Sequence, residues 1–451
     1  MKIGFTELLL TLAIFLVVLG PTVLPRIARW YRYADRAQNT ARRRAARARA
    51  ARVRVRDELF RRARFAVAVV FGGAAALYLL YLFFGPLPYA PQIHPVTTWI
   101  SSAAEVPAGT PTAADGLDIS PYRDPVCIAE QDGWLYAAVD GGTVIRIRPD
   151  GTGLAEVFTT GGDITALAFG PDGALYLTDA SLQGTLTGGG GVLRATFDGW
   201  AVSVAPLVTS ANGQRLSCPA GLAVGTDGTV YFTDFSAVSA AQTHSAENAF
   251  YTELMARTGQ GSVYAYDPDT QAVACLASGL QGAGGLALSA DGRALYVSES
   301  NAGRLWKLPL GGKTQDIAAL GADSAAQSTG GAQLLAQGLS GYPAGLACDQ
   351  DGSLWAAQCG ARSRWAETAP VWLRRVILHL PRLTRAWLLR PHADAGTALG
   401  FSENGTRTSC LLVDTGAGGR ITGICFTEDA CWLANADGSV LYRAAPAVSA
   451  G

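Results

Sequence analysis

Residues suited to acid–base or metal chemistry are few and scattered in this sequence. Histidine titrates near neutral pH and is the commonest metal ligand, but the four histidines show no metal-binding spacing: His94, His244, His379 and His392. No Gly-x-Ser-x-Gly segment is present to form a nucleophile elbow. His244 and Asp163 are the candidates that remain, because both fall beside repeated strand patterns. Neither is assigned a catalytic role.

All eight cysteines lie beyond residue 126, at positions 127, 218, 275, 348, 359, 410, 425 and 431. We predict an oxidising compartment for this part of the chain, where thiols can pair. Cys425 and Cys431 flank a short turn, so we expect them to face each other across a hairpin as a disulfide. Cys127, Cys218 and Cys348 fall on or beside apolar strands and are expected to be packed thiols.

A repeated pattern of strand, Asp-containing turn and strand must position any site. It occurs six times, with turns at Asp132, Asp172, Asp227, Asp291, Asp351 and Asp429. This spacing suits blades of four short strands, and the 53 glycines suit their many turns. The predicted fold is therefore an all-β six-bladed β-propeller. Because Asp-Gly tolerates the positive φ of type I′ turns, the aspartates are interpreted as turn residues rather than metal ligands.

Two insertions interrupt the repeats. Residues 240–261 carry apolar side chains at helical spacing, which we expect to pack in the core. Residues 369–389 are amphipathic and basic. We expect this second segment to cap a propeller face, the alternative being contact with a membrane surface. His244 and Trp372, one on each insertion, are expected at the rim of the pocket.

Two apolar segments precede the repeats. Phe65 to Phe84 is free of charge and long enough to cross roughly 30 Å of hydrocarbon. Phe5 to Gly20 is shorter and is expected to be another transmembrane helix, with a hinge at Gly20-Pro21 because proline lacks the amide donor. Residues 26–64 hold 15 arginines against three acidic residues and should stay in the cytoplasm. We therefore expect a protein of the bacterial inner membrane, with its N-terminus and propeller in the periplasm.

The expected organisation has five parts: a short transmembrane segment (1–25), an Arg-rich cytoplasmic helix or loop (26–64), a transmembrane helix (65–84), a linker that could supply a closing strand (85–118) and the propeller (119–451). The densest run of arginines, residues 41–56, has no interleaved aromatic residues for base stacking, so no nucleic-acid partner is expected. Anionic lipid is the partner that this run suits.

The N-terminus resembles twin-arginine translocase B-type subunits. The matching stretches are Ile3 to Leu10, which includes Glu7, and Val17 to Pro21, followed by Leu24-Pro25. In that family a short span with a polar Glu leads into a Gly-Pro hinge and a basic helix. The resemblance implies that translocase components could be partners.

Residues 118–446 resemble the strictosidine synthase-like family, including the adipocyte plasma-membrane-associated protein type. The resemblance rests on Gly228 to Asp234, Phe250 to Met255 and Gly261 to Pro268, in that order. It implies a six-bladed propeller with an axial funnel. In the related gluconolactonases and paraoxonases, axial Glu, Asn and Asp residues hold a calcium ion that supports lactonase or arylesterase chemistry.

This chain departs from the family at the axis. The family's Gly-Pro-Glu, Asn-Asp-Leu, Asn-Gly and Pro-Asp-Asn correspond here to Asp124-Pro125-Val126, Ala220-Gly221-Leu222, Gly284-Gly285 and Pro343-Ala344-Gly345. Because a hard cation needs about six oxygen ligands, we predict no metal and no cofactor; calcium would be expected only if this alignment is wrong. The candidate axial pocket is Val126, Asp163, Ala220, Gly284, Ala344 and Gly345.

Three functions follow as hypotheses. The first is a propeller with a degenerate metal site that binds a protein or a small apolar ligand. The second is a lactonase or arylesterase that uses displaced ligands such as Asp163, or no metal. The third is an accessory to twin-arginine protein transport, for which residues 1–25 would be essential.

Overall fold

The computed structural model describes residues 42–87, 114–181, 189–199, 201–237, 245–320, 331–392, 395–416 and 418–444. Two compact units divide the chain: one contains the N-terminal helix and Arg375–Thr384, and the other contains Pro88–Arg374 and Arg385–Gly451. The first apolar segment (5–20), with its expected hinge at Gly20-Pro21, and His244 lie outside the described residues.

One helix, α1 (Arg42–Phe84), contains both the end of the Arg-rich segment and the predicted span. Alanine, arginine and leucine favour helix, and none of its 43 residues is proline. The helix ends where the Gly85 amide donates to the Tyr81 carbonyl at 2.8 Å and Pro86 follows. Within the described part of the chain, Glu58–Phe84 is the helical stretch long and apolar enough to cross a membrane, with a mean hydropathy of 2.2.

The second unit is a six-bladed propeller, as the repeats predicted. Each blade contains four antiparallel strands, and its inner strand lies next to the axis; blade three also gains a short parallel strand, and the outer strand of blade six comes from the start of the propeller sequence. Blade one consists of β2 (Cys127–Gln131), β3 (Trp134–Val139), β4 (Thr143–Ile147) and β5 (Ala155–Thr159). Blade two consists of β6 (Ile164–Phe169), β7 (Leu175–Asp179), β8 (Gly191–Asp198) and β9 (Ala201–Val208). Blade three consists of β12 (Pro219–Val224), β13 (Val230–Asp234), β14 (Gly261–Tyr266) and β15 (Val273–Leu280). Between blades two and three lies a hairpin of β10 (Ser210–Ala211) and β11 (Gln214–Arg215).

Blades four and five are built in the same way, and the last blade closes the ring. Blade four consists of β16 (Ala283–Leu288), β17 (Ala294–Glu299), β18 (Arg304–Pro309) and β20 (Gln333–Gln337). Blade five consists of β21 (Gly341–Cys348), β22 (Leu354–Ala361), β23 (Gly396–Phe401) and β24 (Arg407–Val413). The short β19 (Gln315–Asp316) adds to β15 in parallel. Blade six consists of β25 (Ile421–Phe426), β26 (Cys431–Asn435), β27 (Val440–Ala444) and, at its outer edge, β1 (Asp115–Asp118). Because β1 precedes blade one in sequence, its pairing with β27 joins the two ends of the propeller.

The hairpin turns between inner strands use aspartate in two ways. At the first repeat Asp132 and Gly133 both have positive φ, 52° and 74°, as a type I′ turn requires. At the next repeats only the glycine after the aspartate has positive φ. There the Asp172, Asp227 and Asp291 carboxylates accept the amide hydrogen two residues further on. The type I′ expectation is therefore wrong for these turns, where the aspartate closes the turn through its side chain.

Apolar side chains fill the spaces between neighbouring blades. Ile128 and Leu135 of blade one pack with Trp432 of blade six in one buried cluster. Tyr231 of blade three packs with Trp306 of blade four in another. These clusters place the hydrophobic core around the ring and leave the axis open.

Within the described ranges, six short helical segments interrupt the strands. The blade-three insertion forms α2 (Ala246–Ala256), which Ser245 caps by accepting the Asn248 amide hydrogen. Leu254 and Met255 of this helix are fully buried, as their spacing predicted. The others are a 3-10 turn (Ser300–Ala302), α3 (Ile317–Leu320), α4 (Arg364–Thr368), α5 (Val371–His379) and α6 (Arg382–Leu389).

The expected disulfide does not form. Strands β25 and β26 pair Cys425 with Trp432 and Cys431 with Phe426. Since adjacent residues of a strand point to opposite faces, the two thiols lie on opposite sides of the sheet. All eight cysteines are free in the structure.

Candidate functional site

The inner edges of all six blades surround an axial cavity of about 370 Å³. One residue from each blade lies at an equivalent position on its wall: Val126, Thr165, Ala220, Gly284, Ala344 and Thr422. The structure also places Asp163 and Gly345 on this wall, so it brings together all six residues of the pocket expected from the sequence. Thr165 of blade two and Thr422 of blade six complete the ring of one wall residue from each blade.

Glycines next to the axis let neighbouring blades approach backbone to backbone. A Cβ atom at Gly221 would lie 2.3 Å from the Gly284 carbonyl oxygen, and one at Gly285 would lie 2.2 Å from that of Ala344. No side chain fits at such separations. The repeated glycine therefore keeps the inner strands close together and the axis narrow.

Hydroxyl groups on the second strands bond carbonyl groups of residues that line the axis. Each hydroxyl donates to the backbone of the next blade: Thr178 to Ala220 (3.2 Å), Thr233 to Gly284 (2.7 Å) and Ser298 to Ala344 (3.0 Å). Thr233 also accepts the Gly221 amide hydrogen at 2.7 Å. These bonds join blades two to five next to the axis.

The residues at the axis do not fit a calcium ion of the kind that the family resemblance implies. Val126, Ala220, Gly284 and Ala344 supply no side-chain oxygen, and hydroxyl groups already bond three of the four carbonyls. Within the described ranges, no group of three or more His, Cys, Asp and Glu side chains is arranged to hold a metal. The chemistry of this cavity has to come from other residues.

Asp163 is the carboxylate that reaches the cavity from the start of blade two. Its Oδ2 accepts the Ala246 amide hydrogen at 2.6 Å, so it holds the first residue of α2 across 83 positions of sequence. Burial raises the pKa of the Asp163 carboxyl to about 6. The hydrogen bond from Ala246 lowers this pKa, whereas the nearby negative charges raise it further; these belong to Asp179, Glu247 and Asp140. Near neutral pH this group can therefore exchange a proton within the cavity.

A charged network lies on the wall formed by α2 and blade six. Arg420 bonds both carboxylate oxygens of Asp437 at 2.9 Å and approaches Glu247 at 3.4 Å. Tyr251 donates to Glu247 at 3.0 Å. Burial disfavours the Arg420 cation, but the hydrogen bonds with Asp437 raise its pKa overall. This wall is polar, and its charges are mutually compensated.

Aromatic rings form much of the remaining wall. Phe250 of α2 contacts the Tyr342 ring edge-on, with centroids 5.0 Å apart, and the Tyr251 ring at 5.5 Å. Phe235 also lines the cavity, beside Phe250 at 6.3 Å. Together with Val126, Ala220 and Ala344, these rings give the cavity a largely apolar surface.

Three cysteines line the same space, and burial raises the pKa of each thiol. Cys127, Cys218 and Cys359 all line the cavity. Burial raises the pKa of Cys127 to about 12 and that of Cys359 to about 11, and it raises the pKa of Cys218 as well. The nucleophilic thiolate is therefore scarce at neutral pH. These side chains contribute surface rather than chemistry, as expected of Cys127 and Cys218.

Trp372, expected at the pocket rim, is not among the residues that line the cavity. It lies on α5 with 55 % of its surface exposed. Arg420, Glu247 and Tyr251 are the site residues that sequence reasoning missed. The acidic and aromatic residues of the blade-three insertion were a usable signal, since insertions often cover a propeller face, whereas the contacts of Arg420 depend on tertiary structure.

Comparisons with known proteins agree with the recognised motifs. Residues 183–370 match the family described as SMP-30/gluconolactonase/LRE-like region, and residues 1–32 match the mttA/Hcf106 family. Protein strictosidine synthase-like 6 of Arabidopsis thaliana is 27 % identical over 288 residues, which are 61 % of this chain and 69 % of that protein. Lactonase drp35 of Staphylococcus saprophyticus is 28 % identical over 219 residues, covering 47 % and 60 % of the two chains.

A luciferin-regenerating enzyme is among the similar solved structures. It superposes with a TM-score of 0.50 at 13 % identity, covering 75 % of this chain and 97 % of its own. At this identity the likeness concerns the fold alone. Motifs, relatives and blade count agree: the chain contains a six-bladed propeller that is similar to strictosidine synthase-like and SMP-30/gluconolactonase-like proteins, and its N-terminus is similar to the mttA/Hcf106 family.

Proposed function

We propose that this protein is a membrane-anchored periplasmic propeller that binds a small, largely apolar molecule in the axial cavity without a metal ion. The observation that carries the proposal is the wall itself. Positions where the family places calcium ligands hold Val126, Ala220, Gly284 and Ala344, and aromatic rings cover much of the remainder. A cavity of about 370 Å³ lies in the range of small-molecule sites.

Two polar groups would orient such a ligand. The Thr422 hydroxyl oxygen is buried at the axis and has no hydrogen-bond partner among the described residues. The pKa of Asp163 is about 6, so its carboxylate accepts a hydrogen bond above that pH and its protonated carboxyl can donate one below it. The expected ligand is therefore an apolar body with one or two polar atoms, because a strongly charged molecule would lack a compensating partner.

The membrane anchor and the compartment are part of the same proposal. Glu58–Phe84 has the length and hydropathy of a span, and Arg61, Arg62 and Arg64 stand at its N-terminal end. Arginines next to the end of a span remain on the cytoplasmic side of a bacterial inner membrane, so the C-terminal end of the helix and the propeller would lie in the periplasm.

Binding of a water-soluble aromatic probe tests the proposed ligand class. Thermal unfolding of the purified full chain in detergent should shift upward in 2-naphthol, because ligands that bind only the native state stabilise it. Ala344→Leu fills part of the cavity and should abolish the shift. Ala205→Leu places the same side chain at an exposed position of β9 and should preserve it. An equal shift in both variants would contradict binding at the axis.

Ester or lactone hydrolysis is a second candidate function, and Asp163 is the observation that favours it. A buried carboxyl with a pKa of about 6 is suited to general-base activation of water. A relative that bears the name lactonase matches part of the chain. Hydrolysis of a phenyl ester or an aromatic lactone, lost in Asp163→Asn and unaffected by chelator, would support this function over simple binding.

A role beside the twin-arginine translocase is a third candidate, favoured by the match of residues 1–32. In that case the N-terminus would recruit translocase components and the propeller would contact their cargo. Replacing residues 1–25 by an unrelated anchor should then abolish function in the cell. Normal function with the foreign anchor would reduce the N-terminus to a tether.

A further inference from the structure

Helices α5 and α6 carry their apolar and charged residues on inverted faces. Trp387 is 81 % exposed, Leu383 is 64 % exposed and Trp372 is 55 % exposed. In contrast, Arg374 and Arg385 are buried. Water disfavours this arrangement, since apolar side chains usually turn inward and arginines outward.

The two buried arginines hold the helices to their neighbours. Arg374 donates to the Glu367 carbonyl at 2.9 Å, and Arg385 donates to the Asn248 side chain at 2.5 Å. These contacts fix which face of each helix points outward. The exposed tryptophans and leucine are therefore a built feature of the surface rather than a consequence of fraying.

The segment is also strongly basic. Residues 364–390 contain six arginines, and their only carboxylate is Glu367. Glu367 is buried in an ion pair with Arg362. The exposed side of the segment consequently combines tryptophan, leucine and positive charge without an exposed acidic group.

Residues 375–384 belong to the same compact unit as the apolar helix α1. Arg375 donates to the Gly85 carbonyl at 2.9 Å, one residue beyond the end of α1. The His379 ring meets the Tyr81 ring edge-on with centroids 4.8 Å apart. This part of α5 therefore lies at the C-terminal end of the span, which is the depth of a membrane–water interface.

We propose that the α5–α6 segment is a membrane-docking surface. Its outward Trp372, Leu383 and Trp387 side chains insert among the lipid headgroups of one leaflet, and its arginines contact anionic phosphates. Tryptophan favours this interface, where its ring is apolar and its N–H can hydrogen-bond. A basic helix with tryptophan and leucine opposite to its packed face is typical of interfacial binding. The inference rests on the proposed membrane anchoring.

Fluorescence quenching by brominated lipid tests the docking surface. The full chain is reconstituted in nanodiscs of phosphatidylcholine and phosphatidylglycerol, with bromine near the headgroup end of the acyl chains. Trp372→Phe and Trp387→Phe should each lose part of the bromine-quenched signal. Trp134→Phe is the matched control, because Trp134 lies in blade one beneath Arg146 and Arg148 and should leave that signal unchanged.

Acrylamide, which quenches tryptophan fluorescence from the water phase, shows whether the same side chains are in water instead of lipid. If Trp387 is in water, Trp387→Phe loses acrylamide-quenched signal and keeps the full bromine-quenched signal, which would overturn the proposal. Alkaline carbonate extraction of the same protein from membranes separates this outcome from failure of the anchor. A protein that resists extraction but shows no bromine contact at Trp372 and Trp387 is anchored without docking, whereas an extracted protein contradicts the anchor as well.

Discussion

Substituting Asp163 by asparagine should change how the stability of the propeller depends on pH. The carboxyl stands between the start of blade two and α2, where it accepts the Ala246 amide hydrogen at 2.6 Å. Asparagine has the same shape, and its amide oxygen can accept the same hydrogen bond. The variant therefore removes the ionisation of the group while its position and packing are preserved.

The magnitude follows from the pKa of about 6, compared with 3.8 for an unperturbed aspartate. This rise corresponds to at most about 3 kcal/mol of unfolding free energy, and partial exposure to the cavity reduces it to about 1–2 kcal/mol. The native state holds the proton more tightly than the unfolded state. Stability contributed by the protonated carboxyl is therefore complete below about pH 4 and is lost as the pH rises to about 6.

Urea unfolding of the full chain in detergent, followed by tryptophan fluorescence between pH 4 and pH 8, measures this effect. Asp163→Asn should gain about 1–2 kcal/mol over the wild type at pH 8 and little or nothing at pH 4. Asp291→Asn is the control with the opposite sign, because hydrogen bonds from Ser289 and Arg293 lower the pKa of that carboxyl. A difference in unfolding free energy between the wild type and Asp163→Asn that stays constant across the pH range would contradict a raised pKa at Asp163.

Two further variants test the packing around the site. Gly285→Ala should lower the unfolding free energy by about 3 kcal/mol, because its Cβ would lie 2.2 Å from the Ala344 carbonyl oxygen. Gly72→Ala is the control and should not destabilise the protein, because no atom lies within 4 Å of its Cβ position. The urea midpoints of both variants measure the difference. Glu367→Gln should cost about 3–5 kcal/mol in the same assay, because it leaves the Arg362 guanidinium, 2.5 Å away and fully buried, without its counter-charge. A loss below about 1 kcal/mol would mean that this pair behaves like a surface salt bridge.

Most of the fold was predictable because the propeller repeats itself. Turn residues and alternating apolar residues are local signals, and each blade carries its own copy. The strand that closes the ring is different, since β1 is short and its partner β27 lies more than 300 residues away. The sequence analysis also divided the chain near residue 65, where the Arg-rich segment ends and the apolar span begins. The structure has one continuous helix there, because the charge changes at this point while the helix propensity does not.

The axis of the site was predictable from motif positions, but its polar wall was not. Val126, Ala220 and Ala344 recur at one register position of the inner strands, so one motif locates all three. Arg420 and Glu247 come from different blades and meet through tertiary contacts. The failed disulfide at Cys425 has a related cause, because a shift of one residue in register reverses the face of a side chain.

Calcium titration of the purified full chain by calorimetry, paired with thermal unfolding in calcium and in chelator, shows whether the axial cavity works without a metal ion. We expect no heat of binding and identical melting temperatures, because Val126, Ala220, Gly284 and Ala344 offer no side-chain oxygen. Binding with a matching rise in melting temperature would show that other residues supply a metal site at the axis, and it would contradict the proposed metal-free cavity.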